Sequence, residues 1–152
     1  MIALRSLLIA GVLIGLDPIA SAQSPAGVWG FMTDELSDSC TISGEMTIKQ
    51  ASDKRFSCTF KAVQSCRLRL PKTIHTDQSC AAVQVGKQVS ITSRVDKIVS
   101  VDPSVMRVGM EDRYAPDNFI VTLNEGGDEM DGLFESLGTA PVKFRRRQEL
   151  TS

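Results

Sequence analysis

The chain has 152 residues, with 17 Lys plus Arg, 18 Asp plus Glu and one His, a formal charge of −1. That near-balance excludes a phosphate-dominated nucleic-acid binder, which needs clustered positive charge. With 42% apolar and 5% aromatic residues, the composition is that of a globular domain, not of a disordered tail or a polytopic membrane protein.

Residues 1–22 read as a secretory signal peptide: Arg5 in a short basic region, an apolar stretch from Leu7 to Leu16, and Ala20-Ser21-Ala22 as a small-residue cleavage site. The apolar stretch is about half of the roughly 20 residues a membrane helix needs, and Asp17 and Pro18 end it. The expectation is an export leader followed by one domain over 23–152, placed in the periplasm or secreted, with no stable membrane span after cleavage.

Gly27 to Thr33 is the first expected strand. The clearest pattern flanks Gln50-Ala51-Ser52-Asp53-Lys54. Before it, Cys40, Ile42, Gly44, Met46 and Ile48 share one face; after it, Phe56, Cys58, Phe60, Ala62, Gln64 and Cys66 do the same. Period-two alternation on both sides of a turn predicts a long hairpin with one buried face. Arg67 to Ser79 reads as a loop. Further strands are expected at Ala81–Val85, Gln88–Val95, Lys97–Val101, Phe119–Leu123, Met130–Phe134 and Val142–Arg146, with Asn124-Glu125-Gly126-Gly127-Asp128 as a hairpin turn. Pro103 to Asp112 suggests one short helix, since Val105, Met106 and Met110 can share a face and Pro103 suits a first helical turn.

Eight or nine short strands without a βαβ rhythm predict an all-β antiparallel barrel or sandwich. The barrel is preferred because closure removes exposed edges. Cys40, Cys58, Cys66 and Cys80 are even in number in an exported chain, which favours two bracing disulfides. A hairpin symmetric about Asp53 sets Cys40 opposite Cys66 and leaves Cys58 for Cys80. The competing connectivity joins Cys40 to Cys58 and Cys66 to Cys80, closing the 67–79 loop. With no Cys-x-x-Cys pair and a single His, no metal site, redox centre or other cofactor is expected.

Gly27-Val28-Trp29 at the start and Val142-Lys143-Phe144-Arg145-Arg146-Arg147 at the end resemble the two ends of lipocalin-like (calycin) barrels. In that family a Gly-x-Trp on the first strand is covered by an Arg near the end of the last. The chain is similarly suggestive of small bacterial periplasmic protease-inhibitor barrels with an early Trp. The resemblance covers about a dozen residues and implies a structural Trp29 covered by Arg145 or Arg146. A guanidinium over the indole contributes roughly 0.5–2 kcal/mol by cation–π attraction, depending on desolvation.

No catalytic set assembles from the sequence. His75 lacks a Gly-x-Ser-x-Gly elbow for a triad and is expected in an exposed loop, with Asp77 a turn former. The carboxylates from Glu111 to Glu135, including Asp128, Glu129 and Asp131, are expected in solvated turns, and the 124–128 turn lacks ordered EF-hand oxygens. Arg67, Leu68, Arg69, Leu70 and Lys72 form the expected partner loop, preorganised if a disulfide clamps it. Arg145 to Arg147 also offer charge to anionic glycans or headgroups.

The reading that follows is an exported, monomeric, non-enzymatic barrel that binds a protein partner, most sharply as an inhibitor of a secreted or host hydrolase such as a protease or lysozyme. A carrier of a small apolar ligand is the alternative, resting on inward Met46, Phe56 and Phe60. A small carboxylate-dependent hydrolase is the third.

Overall fold

The computed structural model describes residues 23–148. The expected leader, 1–22, and residues 149–152 lie outside the described residues. Eight strands follow one another: β1 Gly27–Thr33, β2 Cys40–Ser52, β3 Arg55–Cys66, β4 Lys72–Val85, β5 Gln88–Asp102, β6 Asn118–Leu123, β7 Glu129–Glu135 and β8 Thr139–Arg146. Each pairs antiparallel with its chain neighbour, and β1 pairs with β8 from Trp29 opposite Arg146 to Thr33 opposite Val142, closing a barrel. Of the two β architectures expected, the closed barrel is the one formed, with eight strands.

The β2–β3 hairpin forms as its alternation predicts. Cys40, Ile42, Met46 and Ile48 are buried, as are Phe56, Cys58, Phe60, Ala62 and Cys66. Its turn is tighter than expected: the strands run to Ser52 and resume at Arg55, leaving Asp53 and Lys54 at the tip, with Lys54 in the left-handed region at φ 56°. Cys40 pairs in register with Cys66, and Cys58 with Cys80. Both pairs are disulfide-bonded, with Cα atoms 4.0 and 4.8 Å apart. Directly opposed cysteines on one face are within reach of a bridge, which settles the connectivity against the Cys66–Cys80 alternative. At Gly44 an added Cβ would lie 2.0 Å from the Lys61 carbonyl oxygen and 2.8 Å from the Phe31 ring. Glycine there permits a close backbone approach inside the curved wall.

Three expectations are corrected. The Arg67–Ser79 segment is a five-residue connection, 67–71, followed by strand, so Lys72, His75 and Asp77 belong to β4, and Asp77 forms no turn but pairs in register with Lys61 and Lys97. The two strands expected over Gln88–Val101 are one, because irregularities opposite His75/Thr76 and Asp77/Gln78 shift the inward phase from Val89 and Ile91 to Ile98 and Val101 without ending the ladder. The helix expected over Pro103–Asp112 is one 3₁₀ turn, Ser104–Arg107. Gly109 at φ 71° and an extended Val108 stop it there. Met106 and Met110 pack inward on Ile74, Ile98 and Val101, while Val105 is exposed.

Candidate functional site

The two ends of the barrel differ. At one end residues 23–26 cross the opening. Trp29, fully buried, donates its indole N–H to the Pro25 carbonyl at 2.8 Å. Because Arg146 is the cross-strand partner of Trp29, its guanidinium stacks on the indole at 4.3 Å from the ring centroid. It also donates to the carbonyls of Ser24, Ala26 and Gly127. Gln84 adds a hydrogen bond to the Gln23 carbonyl at 2.7 Å. This end is sealed. Above it Phe31, Phe60, Phe119, Phe134 and Phe144 fill the interior, with centroids of neighbouring rings 5.2–5.9 Å apart.

The other end is a mouth, surrounded by segments 34–39, 67–71, 103–117 and 136–138. It holds a cavity of about 410 Å³ whose apolar wall includes Leu36, Ile42, Ile74, Met110, Phe134 and Leu137. Tyr114, Asp117 and Gln64 are among its polar lining residues, with Ser37, Asp38, Lys72, Arg113 and Ser136. Asp117 is 1% exposed. Gln78 donates to its Oδ2 at 2.6 Å and Tyr114 donates to the same oxygen at 3.2 Å. The Asp117 backbone N–H donates to the Gln78 side-chain oxygen at 3.1 Å, and Gln78 donates in addition to Thr76 at 3.0 Å. Burial pushes the Asp117 carboxyl up to about 6, against the opposing pull of the hydrogen bonds from Gln78 and Tyr114. Burial, and then the neighbouring Asp117 charge, raise the Tyr114 hydroxyl well above the usual phenol range. A pocket with apolar walls, a few convergent polar groups and a perturbed carboxyl has the physical make-up of a ligand site.

The expected site residues are dispersed around this frame. Arg67 to Leu70 lie on the β3–β4 connection at the mouth, where Leu68 and Leu70 stand 65% and 68% exposed and Arg69 takes φ 62°. Arg67 pairs with Glu35. No disulfide closes this connection on itself, since Cys66 is bonded across to Cys40. Arg145 faces outward to Glu129 at 2.7 Å, so it is Arg146 that covers Trp29. Met46, Phe56 and Phe60 are buried in the packed interior. Asp128 serves the Asn124 turn and Glu129 pairs with Arg145, both on an open recess shared with Arg145, Arg146 and Arg147, while Asp131 is exposed on β7.

Tyr114 and Gln78 escape the sequence reading, and Asp117 corrects it: expected with the other acids from Glu111 to Glu135 in a solvated turn, it is buried, its carboxyl held by Gln78 and Tyr114. Two signals mark them afterwards: Tyr114 is the chain's one tyrosine, and Thr76 and Gln78 occupy inward positions between Ile74 and Ala82 on β4. Polar residues on an inward face are held there by partners.

No family model matches the sequence, and no curated protein matches it. Several solved structures do share its shape, among them designed barrels. A redesigned β-barrel, mFAP1, bound to DFHBI is 13% identical with a TM-score of 0.54, covering 83% of this chain and 97% of its own. A fluorescence-activating β-barrel designed de novo is 16% identical with a TM-score of 0.52, covering 83% and 96%. A third, mFAP0 bound to DFHBI, is 12% identical with a TM-score of 0.52, covering 81% and 98%. These comparisons place the chain in no lipocalin or inhibitor family; what it shares with the designed proteins is the small antiparallel barrel.

Proposed function

We propose that this protein is a non-enzymatic binding protein of an oxidising compartment, and that the mouth of its barrel takes a small, mainly apolar ligand. The observation that carries the reading is the apolar lining of the mouth cavity around the buried Asp117 carboxyl, where the recess outside the other end is lined mainly by polar residues. One end is sealed by Trp29, Arg146 and residues 23–26. The other holds the 410 Å³ cavity, a size within the roughly 300–1,000 Å³ of small-molecule sites. Two disulfides suit an oxidising location. That mFAP1 and mFAP0 were solved with DFHBI bound supports the reading by fold only.

The test is titration with N-phenyl-1-naphthylamine, a neutral apolar fluorophore, against the native protein and Ala115→Trp, which fills the cavity from its lining. Saturable binding with the native chain and its loss in the filled variant is the expected result. Equal signals from both proteins would place the probe outside the cavity and overturn the reading.

A second reading is protein binding through the 67–71 connection, as an inhibitor of a secreted hydrolase. What favours it is that Leu68 and Leu70 project into solvent instead of folding onto the barrel, a presentation of apolar anchors that suits insertion into a cleft. Titration against proteases and lysozymes checks it. Absence of both inhibition and complex formation across the panel removes it.

A further inference from the structure

We propose that the cavity at the barrel mouth is a site for a small organic cation, an ammonium group on an alkyl or arylalkyl body, with the ammonium held by Asp117. This deepens the ligand-binding reading above and rests on it. Asp117 lines the cavity although it is 1% exposed. Its two side-chain donors, Gln78 and Tyr114, are both neutral and both reach Oδ2. Among the described residues no hydrogen-bond donor reaches Oδ1, and no salt bridge reaches either oxygen. A buried carboxylate without a counter-ion is costly unless a charge partner arrives. Here the accessible space next to it is the cavity itself.

The surroundings fit the rest of such a ligand. Ile42, Ile74, Met110 and Phe134 offer apolar contact to its body. Charged groups approach the cavity from three directions: Asp38 from the β1–β2 connection, Lys72 from the start of β4 and Arg113 from the 103–117 segment. Arg113 is exposed, so its repulsion of a cation is screened by solvent, and half-buried Lys72 is opposed by the Asp38 carboxylate on the same cavity. The side chains that contact Asp117, Gln78 and Tyr114, are neutral, and neither Lys72 nor Arg113 forms an ion pair with it.

A charge-assisted hydrogen bond to an ionised carboxyl is lost when that carboxyl is protonated. With the Asp117 carboxyl at about 6, roughly a tenth of it is ionised near pH 5, so amine binding weakens about tenfold between about pH 7.5 and about pH 5.

The experiment is isothermal titration of the intact protein with octylamine, 1-octanol and octanoate, three ligands of matched length and different charge. Near pH 7.5 the expected order is octylamine at least tenfold tighter than octanol, with octanoate weakest. Acidification to about pH 5 weakens octylamine about tenfold and leaves octanol unchanged. Asp117→Asn brings octylamine to the level of octanol. Equal binding of octylamine and octanol, unaffected by pH, overturns the cation assignment while leaving the apolar cavity reading intact. Tighter octanoate than octylamine overturns it in favour of Lys72 and Arg113. No binding of any of the three overturns both. The pH comparison on the native chain stands even where Asp117→Asn folds poorly.

Discussion

Asp117→Asn separates the electrostatic character of the cavity from every other pH effect in the molecule. In the folded chain the carboxyl sits at about 6 instead of 3.8, because it is buried with only neutral donors. The folded state therefore binds a proton more tightly than the unfolded chain. Between about pH 4 and about pH 6 it holds more protons, so stability falls as pH rises through that window and stays reduced above it. A difference of about two pKa units corresponds to about 3 kcal/mol of destabilisation near neutral pH. Asparagine keeps a carbonyl oxygen for Gln78 and Tyr114 and carries no charge. The variant is expected to unfold at a higher temperature than the native chain near neutral pH, by roughly 10 °C at the upper limit for a domain of this size, and the two curves should converge near about pH 4. The assay is thermal unfolding by circular dichroism in steps across that range, read as the difference between the two proteins so that all other titrations cancel. A constant difference across pH, or a variant less stable than the native chain at neutral pH, refutes the assignment of a destabilising buried charge.

Tyr114→Phe removes a donor that favours the ionised carboxyl, so the same difference curve should shift to higher pH; a shift downward contradicts the hydrogen bond's sign. Arg146→Ala loses the indole contact and the hydrogen bonds to three carbonyls and is expected to cost about 2–4 kcal/mol by urea denaturation; Arg146→Lys should recover less than half, since one ammonium does not reproduce the planar fork. Replacing Cys58 and Cys80 together by Ala opens a loop of 22 residues and should lower stability by about 3.4 kcal/mol on the chain-entropy model, read from the urea midpoint. Phe119→Ala should cost about 4 kcal/mol, at least 1 kcal/mol more than Phe56→Ala, because the Phe119 ring contacts those of Phe31, Phe60, Phe134 and Phe144; equal urea midpoints for the two variants would contradict an aromatic hub.

The β2–β3 hairpin is readable because nearly every inward position is apolar, so local pattern and tertiary burial agree. Its symmetry also placed Cys40 beside Cys66 as one of two pairings, and chain registration selected it. The first half of β4 is unreadable for the opposite reason. Thr76 and Gln78 face inward while His75, Asp77 and Ser79 face the other way, so both faces are polar. That stretch is extended because β3 and β5 ladder it from both sides, an interaction with no local trace. The phase slip in β5 breaks its alternation between Val95 and Ile98 and makes one strand look like two. Asp117 was one acid among many, since its burial depends on Gln78, 39 residues away.

The cavity itself follows from unequal strand lengths. β2 to β5 have 12–15 residues, whereas β6, β7, β8 and β1 have 6–8. At about 3.4 Å per residue the longer wall cannot be matched across the barrel. β6 pairs with β5 only from Gln88 to Ile91, close to the sealed end, so β5 beyond Ile91 projects past β6 toward the mouth. A seam opened in this way leaves backbone amides without a ladder partner, and buried amides require one. Side chains supply it: Asn118 accepts from the Ser93 N–H at 2.8 Å, and Gln78 accepts from the Asp117 N–H at 3.1 Å. The 103–117 segment then folds back over the projecting hairpin, packing Met106, Met110 and Tyr114 on its inner face. The polar cluster is thus the repair of the split sheet, and the space beside it is what the repair leaves unfilled. Asp117 is carried into an apolar surrounding by the same strand-length mismatch that makes room for a ligand next to it.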